Sequence, residues 1–230
     1  MTTLLIATRN RHKVEEIRAI LGGQFQFFTL NDFPNAPQVV EDAVTFAGNA
    51  AKKAVELARW IQNSGFKVQS SEFSVLADDS GLEVDALNGA PGVRSARFAA
   101  LDKNENSNDA DNNAKLLQLL KDVPLEKRDA RFRCVLALVP VLKKENENSS
   151  PVCCAGEFEM QTQLFDGACE GRIIFEPRGK NGFGYDPLFV PDEFEKTFAE
   201  LGAGAKNKSS HRAKALEKLK QFLFAAKLGR

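Results

Sequence analysis

An unbroken apolar run at positions 134–139 most constrains how this chain can fold. Because no polar residue alternates within it, the run predicts a strand buried on both faces, as in the middle of a sheet covered by helices. Residues 4–7 and 75–77 are shorter runs of the same kind. The chain is therefore expected to build its core around a central sheet.

Apolar stripes at helical spacing lie between these strands. They cover residues 14–21, 46–61 and 212–226, and Lys53 is among the polar residues of the second stripe that face elsewhere. Strands that alternate with helices predict an α/β fold. The 230 residues contain no linker between independent domains, so we expect a single domain over residues 1–230.

Weaker patterns suggest the rest of the sheet. The strand at 75–77 is expected to end at the acidic pair 78–79, and residues 82–86 then alternate like a half-buried strand. Residues 153–160 and 172–175 are expected to be further strands of the same sheet.

Three polar stretches, at 63–72, 102–111 and 143–150, are rich in Asn, Ser, Lys and Glu. Such segments bury little apolar surface. We interpret them as surface insertions that contribute nothing to the core.

The charge balance limits the expected partners. The chain has 31 basic and 31 acidic residues, so it lacks the excess positive charge that attracts nucleic acid or a membrane surface. The apolar stretch at 4–7 is too short for a signal peptide or for a membrane span of about 20 residues. We expect a cytoplasmic protein whose four cysteines, which lack metal-binding spacing, are free thiols.

Three basic side chains, Arg9, Arg11 and Lys13, lie where the first strand leads into the first helix. A helix start presents free N–H groups and the positive end of the helix dipole, which attract anions. The loop lacks the glycines of common phosphate-binding motifs. Taken alone, it fits either a phosphate site or a solvated helix start.

Carboxylates form the second candidate: Glu41 just before a helix, and Asp78 with Asp79 after a buried strand. Acids at such a strand end are typical Mg²⁺ ligands. Neighbouring strand residues point to opposite faces, so periodicity does not say which aspartate faces a site. A polar turn permitted by Gly81 is the alternative interpretation.

The third candidate is the segment 182–187, in which Phe183 and Tyr185 are interleaved with glycines. Glycines allow close backbone approach, and the flat rings offer faces on which a base can stack. A packed turn with ordinary core aromatics explains the pattern equally well.

The fourth candidate, residues 206–212, leads into the last helix. Ser209 or Ser210 is a natural N-cap, which places His211 and Arg212 at the positive helix end. These two side chains could donate hydrogen bonds to a purine carbonyl or a phosphate. A surface histidine at a helix start is the simpler interpretation.

These motifs occur in the order found in the inosine triphosphate pyrophosphatase family, which the chain resembles from Leu4 to about Leu219. The matching segments are 8–13, 41–54, 77–82, 89–98, 182–187 and 206–212. The resemblance implies two lobes around a long central mixed β-sheet flanked by helices, with the nucleotide in the cleft between the lobes, and a homodimer. Ala100 and Leu101 depart from the glycine and acid usual in the family, which affects the loop that follows.

The resemblance also implies a reaction: Mg²⁺-dependent hydrolysis of ITP, dITP and XTP to the monophosphate and pyrophosphate, which cleanses the nucleotide pool. Glu41 and Asp79 match the metal-binding acids, and Asp79 also matches the catalytic base. The substrate-binding positions implied are Thr8, Arg9, Asn10, Arg11, His12, Lys13, Ser80, Phe183, Gly184, Tyr185, Asp186, Lys206, His211 and Arg212.

Two other functions are weighed against this one. A Maf-type nucleotide pyrophosphatase shares the architecture, but the segments 183–186 and 211–212 favour the purine-specific family. A catalytically silent nucleotide-binding protein is the second alternative. The intact Glu41, Asp79 and Lys13 argue against it.

Overall fold

The computed structural model describes residues 2–66, 72–100, 106–141 and 161–228, with side chains described as far as residue 225. Within these ranges the strands and α-helices are, in chain order, β1 (Thr3–Ile6), α1 (Arg11–Leu21), β2 (Gln26–Thr29), α2 (Phe46–Asn63), β3 (Phe73–Val84), α3 (Asp109–Leu119), β4 (Asp129–Pro140), β5 (Gln163–Ile173), β6 (Phe189–Pro191), α4 (Phe198–Ser209) and α5 (His211–Leu228). None of the helices in the described ranges combines the length and apolar character needed to cross a bilayer.

All six strands belong to one mixed sheet in the order β2-β1-β3-β4-β5-β6. β1 is parallel to β2 and β3, whereas the other neighbouring strands are antiparallel. The apolar run at 134–139 lies in β4, between β3 and β5, which confirms the predicted central strand. The mixed sheet flanked by helices confirms the predicted α/β class.

The long strand β3 passes through successive hydrophobic cores. In its first half, Ala77 shares a core with α2, and Leu76 shares one with α1 and α5. In its second half, Leu82 packs in a third core with Leu116 of α3. The acidic pair 78–79 lies along β3 between the residues of the first two cores and those of the third, so the sheet carries carboxylates between its hydrophobic cores.

The prediction that a strand ends at the acidic pair is wrong, because β3 continues to Val84. Antiparallel pairing with β4 continues through both acids, with Asp78 opposite Leu136 and Asp79 opposite Val135. Carboxylates are tolerated inside this strand because both accept hydrogen bonds from neighbouring side chains. The alternation expected to reach Ala86 ends two residues earlier, in a 3₁₀ turn.

Gly81 does not form the turn that the sequence permitted. It lies inside β3, where an added Cβ would stand 2.4 Å from Ser95 Oγ and 2.5 Å from the carbonyl oxygen of Gly92. The absence of a side chain therefore lets the 3₁₀ segment Gly92–Arg97 pack directly on the strand. Ser95 Oγ in turn accepts a hydrogen bond from the backbone N–H of Leu82 at 2.9 Å.

Of the strand expected at 172–175, only the first two residues are in a strand: they are the end of β5, which begins at Gln163 and ends at Ile173. The earlier part was missed because Asp166, Gly167 and Glu170 interrupt its apolar pattern. The other predicted strand, at 153–160, lies outside the described residues.

Two predicted insertions contain residues with defined structure. Phe66, in the first, packs edge-on against Phe28 and Phe33, with ring centroids 5.9 and 5.0 Å apart. In the second, residues 109–111 form the start of α3. Phe66 is nevertheless 37% exposed and residues 109–111 are exposed, so the described residues of both stretches stay outside the core, as predicted. The third stretch, 143–150, lies outside the described ranges.

Cys134 and Cys169 are buried free thiols, as predicted. Burial raises the pKa of the Cys134 thiol well above its usual value and that of Cys169 to about 11. Both therefore stay protonated near neutral pH and act as packing groups rather than nucleophiles. Cys153 and Cys154 lie in the part of the chain that the structure does not describe.

Candidate active site

Two cavities meet at the loop between β1 and α1, and Asn10 lines both. The larger, about 780 Å³, has Arg9, Lys53 and Arg97 in its wall, and we call it the cationic cavity. The smaller, about 130 Å³, has aromatic rings in its wall, and we call it the aromatic cavity. A ligand that extends across Asn10 would place an aromatic group in one cavity and an anionic group in the other.

Asn10 shapes the start of α1. Its Oδ1 accepts hydrogen bonds from the backbone N–H groups of His12 and Lys13 at 3.0 and 3.2 Å, and its own N–H donates to Thr8 Oγ1 at 3.1 Å. This N-cap fixes the first helical turn. Lys13 consequently points inward to the sheet, whereas Arg11 points to solvent and pairs with Glu15 at 2.6 Å.

Asp78 is the buried centre of a charge cluster. Lys13 Nζ donates to its Oδ1 and Arg212 Nε to its Oδ2, the latter at 2.8 Å. Ser80 Oγ and the Cys134 thiol also donate to this carboxylate, at 2.6 and 3.3 Å. Burial opposes ionisation, but Arg212 and Lys13 outweigh it and hold the pKa of Asp78 well below its usual range. Asp78 is therefore a fixed counter-ion.

Arg212 is held on three sides. Besides Asp78, it donates through Nη1 to Glu16 and through Nη2 to Ser80 Oγ at 2.8 Å. Although burial disfavours its charge, Asp78 and Glu16 raise the pKa of Arg212. Most of its donors are thus engaged inside the protein, and Ser80 is oriented by the same guanidinium.

Asp79 points away from that cluster and has a different environment. It is 6% exposed and accepts a hydrogen bond from Asn49 Nδ2 at 3.1 Å. Burial raises its pKa to about 6, with Lys13 opposing the shift and the charge of Glu41 adding to it. Asp79 is therefore an unusually basic carboxylate that is still largely ionised at neutral pH.

Glu41 lies in the wall of the cationic cavity. Lys53 Nζ pairs with its Oε1, and Arg97 Nη2 donates to its backbone carbonyl at 2.8 Å. Lys53 also donates to the carbonyl of Asp78 at 3.1 Å. The sequence predicted only that Lys53 faces away from the apolar stripe of α2. It did not predict these contacts, by which Lys53 links Glu41 to the backbone of Asp78.

Phe183 forms the ring surface of the aromatic cavity. Lys206 Nζ lies 4.3 Å from its centroid, and the His12 ring stacks on it with centroids 5.3 Å apart and planes 10° apart. Lys206 is 4% exposed and pairs with Asp186 at 2.6 Å and with Glu16 at 3.1 Å. The buried ion pairs hold the ammonium group against the ring.

His211 lies deeper in the same cavity, at the start of α5. Ser210 caps this helix, since Ser210 Oγ accepts from the N–H of Ala213 at 3.2 Å. Burial lowers the pKa of His211 well below its usual value, with Arg212 and Lys206 lowering it further, so the ring is neutral. Its Nδ1 is buried without a hydrogen-bond partner among the described residues, which leaves it available to a ligand.

Tyr185, the chain's single tyrosine, also lines the aromatic cavity but is 3% exposed. Its hydroxyl donates to the Ser95 carbonyl at 2.9 Å. Burial raises its pKa, so it remains a neutral donor. Tyr185 therefore joins the 182–187 segment to the 3₁₀ segment beside β3 and offers little ring surface to a ligand.

The structure brings together most of the site residues predicted from the sequence. Thr8, Arg9, Asn10 and Glu41 line the cationic cavity. Asn10, Lys13, Ser80, Phe183, Gly184, Tyr185, Asp186, Lys206, His211 and Arg212 line the aromatic one. Of the remainder, His12 stacks on Phe183, Asp79 lies almost covered beside Asn49, and Arg11 lies in solvent.

Three further residues belong to the site but received no role from the sequence: Glu16, Asn49 and Lys53. Asp78 was a candidate metal ligand and is instead the counter-ion of Lys13 and Arg212. Asn49 and Lys53 are four residues apart on α2 and so share a face, which is a signal that helical periodicity contains. Glu16 and Asp78 act through partners distant in sequence. No local pattern identifies such pairings.

An α/β sheet with a cation-lined cavity, an adjoining aromatic cavity and paired carboxylates defines a class of protein that binds phosphorylated aromatic ligands. The Ham1 family model matches residues 4–222. The chain is 46% identical over 224 residues to a dITP/XTP pyrophosphatase of Geobacter sulfurreducens, covering 97% of each chain. It is 42% identical over 223 residues to that of Shouchella clausii, again with 97% of each covered.

A solved structure supports the same relationship. The HAM1 protein from Coxiella burnetii is 36% identical and superposes with a TM-score of 0.74, covering 98% of this chain and 100% of its own. The chain belongs to the Ham1 family.

Proposed function

We propose that this protein hydrolyses the purine nucleoside triphosphates ITP, dITP and XTP to the monophosphate and pyrophosphate. The observation that carries the proposal is the junction of the aromatic and cationic cavities at Asn10. Glu41 lines the cationic cavity, and its charge acts on the nearly covered Asp79. A purine has ring faces for the aromatic cavity, and a triphosphate has the charge for the cationic one. The names of the Geobacter and Shouchella relatives agree with this substrate class.

Glu41 and Asp79 are the residues that would hold a Mg²⁺ ion. The charge of Glu41 adds to the raised pKa of Asp79, and a bound cation would relieve that repulsion. No group of three or more His, Cys, Asp or Glu side chains suited to a metal occurs in the described ranges. Two acids plus phosphate oxygens and water match the usual Mg²⁺ environment. When bound, the ion would offset phosphate charge.

Different residues of the chain would bind the phosphates and activate the attacking water. Arg9 and Lys53 line the cationic cavity and would attract the phosphates. Lys13, fixed by Asp78, keeps its positive charge despite burial, since Asp78 raises its pKa. Asp79, with a pKa of about 6, would orient the attacking water and accept its proton. Attack at the α-phosphorus releases pyrophosphate.

Base selection is assigned to His211. Inosine and xanthine carry a carbonyl at C6, whereas adenine carries an amino group. In the tautomer with the proton on Nδ1, the neutral imidazole would donate to the carbonyl and face the amino group with a second donor, whereas the Nε2–H tautomer would accept from the amino group. The proposed preference therefore requires the Nδ1–H tautomer. In that tautomer the buried mismatch of two donors costs about 1–3 kcal/mol. Arg212 is the weaker candidate, because Asp78, Glu16 and Ser80 already engage its donors.

Product identification tests the reaction type. The protein is incubated with ITP and Mg²⁺, and the products are separated by ion-exchange chromatography. IMP with pyrophosphate in equal amounts is the expected result, and chelation of the metal should stop its formation. IDP with inorganic phosphate would contradict attack at the α-phosphorus.

We further propose, from the family resemblance, that the protein is a homodimer.

A further inference from the structure

Helix α3 holds the loop that carries Phe183 by hydrogen bonds to both the N–H and the carbonyl of Gly184. Asp109 Oδ2 accepts a hydrogen bond from the N–H of Gly184 at 2.6 Å, and Asn113 Nδ2 donates to the Gly184 carbonyl at 2.9 Å. Asp109 and Asn113 are four residues apart and therefore lie on one face of the helix. Gly184 is consequently clamped between two side chains of α3.

The same helix holds the opposite wall of the aromatic cavity. Asn112 Oδ1 accepts from the N–H of Ala99 at 2.8 Å, and Lys115 Nζ donates to the carbonyl of Phe98 at 2.6 Å. These contacts fix the end of the 3₁₀ segment whose Ser95 and Ala96 line the cavity. α3 thus braces two cavity walls that are far apart in the sequence.

α3 is itself well anchored. Leu116 is fully buried in the core that it shares with Tyr185 and Leu188. Its N-terminus is capped by Asn108, whose Oδ1 accepts from the N–H of Asp111 at 2.8 Å. A rigid helix can transmit a fixed position to the residue that it holds.

The other backbone restraints on Phe183 both come from Asp186, whose N–H donates to the Phe183 carbonyl at 3.3 Å and whose carboxylate accepts from the Phe183 N–H. The N–H of Phe183 donates to Asp186 Oδ2 at 2.9 Å, and Lys206 pairs with the same oxygen. Helix α3 holds the loop at the next residue, Gly184. The Oδ1 of Asn113 is buried with no partner among the described residues. The hydrogen bond from Nδ2 to Gly184 is therefore the contact that explains why a side-chain amide is present at this position.

We propose that Asp109 and Asn113 are positioning residues for the purine: by fixing Gly184, they hold the Phe183 ring where the base stacks. The inference rests on the proposed function, because it assigns a role in binding the base of that substrate. It assigns the contacts to Gly184 to base binding, and leaves phosphate binding to residues that these contacts do not touch, such as Arg9 and Lys53.

The chain offers a matched control in Asp111. It lies in the same first turn of α3 and is exposed, and its carboxylate accepts only from Asn108 Nδ2 at 2.7 Å. Asp111→Ala removes the same charge from the same helix end as Asp109→Ala. It leaves both contacts to Gly184 in place.

The test measures KM and kcat for ITP and the inhibition constant of inorganic tripolyphosphate, which has the phosphates but no base. Asp109→Ala should raise KM for ITP on the order of 10-fold, the effect expected when loss of the clamp leaves the loop correctly placed about a tenth of the time. Its kcat and its inhibition by tripolyphosphate should match the wild type. Asp109→Asn keeps an acceptor oxygen and should restore most of the affinity, and Asp111→Ala should behave as wild type.

Several results would overturn the inference. Equal weakening of ITP and tripolyphosphate by Asp109→Ala would indicate general damage, as would an equal effect of Asp111→Ala. An unchanged KM would remove the positioning role. Asp109 lines the aromatic cavity itself, whereas Asn113 does not, so Asn113→Ala must give the same pattern if the effect acts through Gly184. A normal KM in Asn113→Ala would contradict that route, and this variant also serves if Asp109→Ala does not fold. Failure of the wild type to hydrolyse ITP would instead overturn the proposed function, and the inference with it.

Discussion

Two neighbouring aspartates of one strand have opposite electrostatic roles. Both are nearly buried, so desolvation acts on both in the same direction. Asp78 has Lys13 and Arg212 as counter-ions and stays charged, whereas Asp79 has Asn49 and lies near the charge of Glu41. Alternation along β3 produces this difference, because it turns adjacent side chains to opposite faces of the sheet.

Asp79→Asn is expected to stabilise the metal-free protein at neutral pH by on the order of 2–3 kcal/mol. The pKa of Asp79 is about 6 in the folded protein and 3.8 in the unfolded chain, so folding disfavours its ionised form. The uncharged asparagine side chain does not have this free-energy cost. The wild type binds this proton more tightly when folded, so its stability falls as pH rises from 3.8 to about 6. The gain of the variant should therefore be complete above that window and vanish below it. Urea denaturation in chelator across this pH range measures it.

Asp78→Asn is expected to destabilise the protein by about 3–5 kcal/mol, because it leaves Lys13 buried without its counter-ion and Arg212 with Glu16 alone. The lowered pKa of Asp78 gives the sign of the pH effect: its contribution is present above pH 3.8 and is lost as pH falls toward the folded-state pKa. The same denaturation series reports it. Equal stability changes in the two aspartate variants would contradict their assigned roles.

At the scale of elements, the site depends on how closely α5 approaches the sheet. An added Cβ at Gly167 of β5 would lie 2.1 Å from the carbonyl oxygen of His211 and 2.7 Å from the backbone nitrogen of Ala215. The first turn of α5, which carries His211 and Arg212, therefore rests directly on the strand. The sequence showed this glycine only as an interruption of an apolar pattern.

Gly167→Ala is expected to push the start of α5 off β5, with a loss of about 1–3 kcal/mol in the free energy of unfolding and a higher KM for ITP. Chemical denaturation and steady-state kinetics measure the two effects. Gly204→Ala is the control, since its Cβ would meet nothing within 4 Å on the exposed face of α4. A normal KM in Gly167→Ala would show that His211 does not depend on this contact.

At the scale of the whole molecule, local patterns predicted the α/β class, the central strand and the main helices, whereas the family resemblance supplied most of the residues that line the two cavities. The patterns did not predict the pairing of Asp78 with Arg212, 134 positions away, or the inward turn of Lys53. Such contacts arise from strand order and helix packing, which no short motif specifies. The strand β5 was largely missed because its apolar residues are separated by glycines and acids.

The proposed homodimer is tested by light scattering coupled to size-exclusion chromatography. The expected molar mass is twice that of the 25.3 kDa chain. The mass should stay constant on dilution over the concentrations used in the kinetic assays. A mass equal to one chain would remove the dimer from the proposal and leave the substrate unchanged.

The most direct test of the proposed function is pyrophosphate release from ITP, XTP, ATP and GTP with Mg²⁺, by the wild type and by Asp79→Asn. We expect ITP and XTP to be preferred over ATP by roughly 10- to 100-fold in kcat/KM, the range that one buried donor mismatch gives. The Asp79→Asn variant should remain folded and lose the activity on every substrate. Equal rates on all four nucleotides, or full activity in the variant, would contradict the assigned substrate and base.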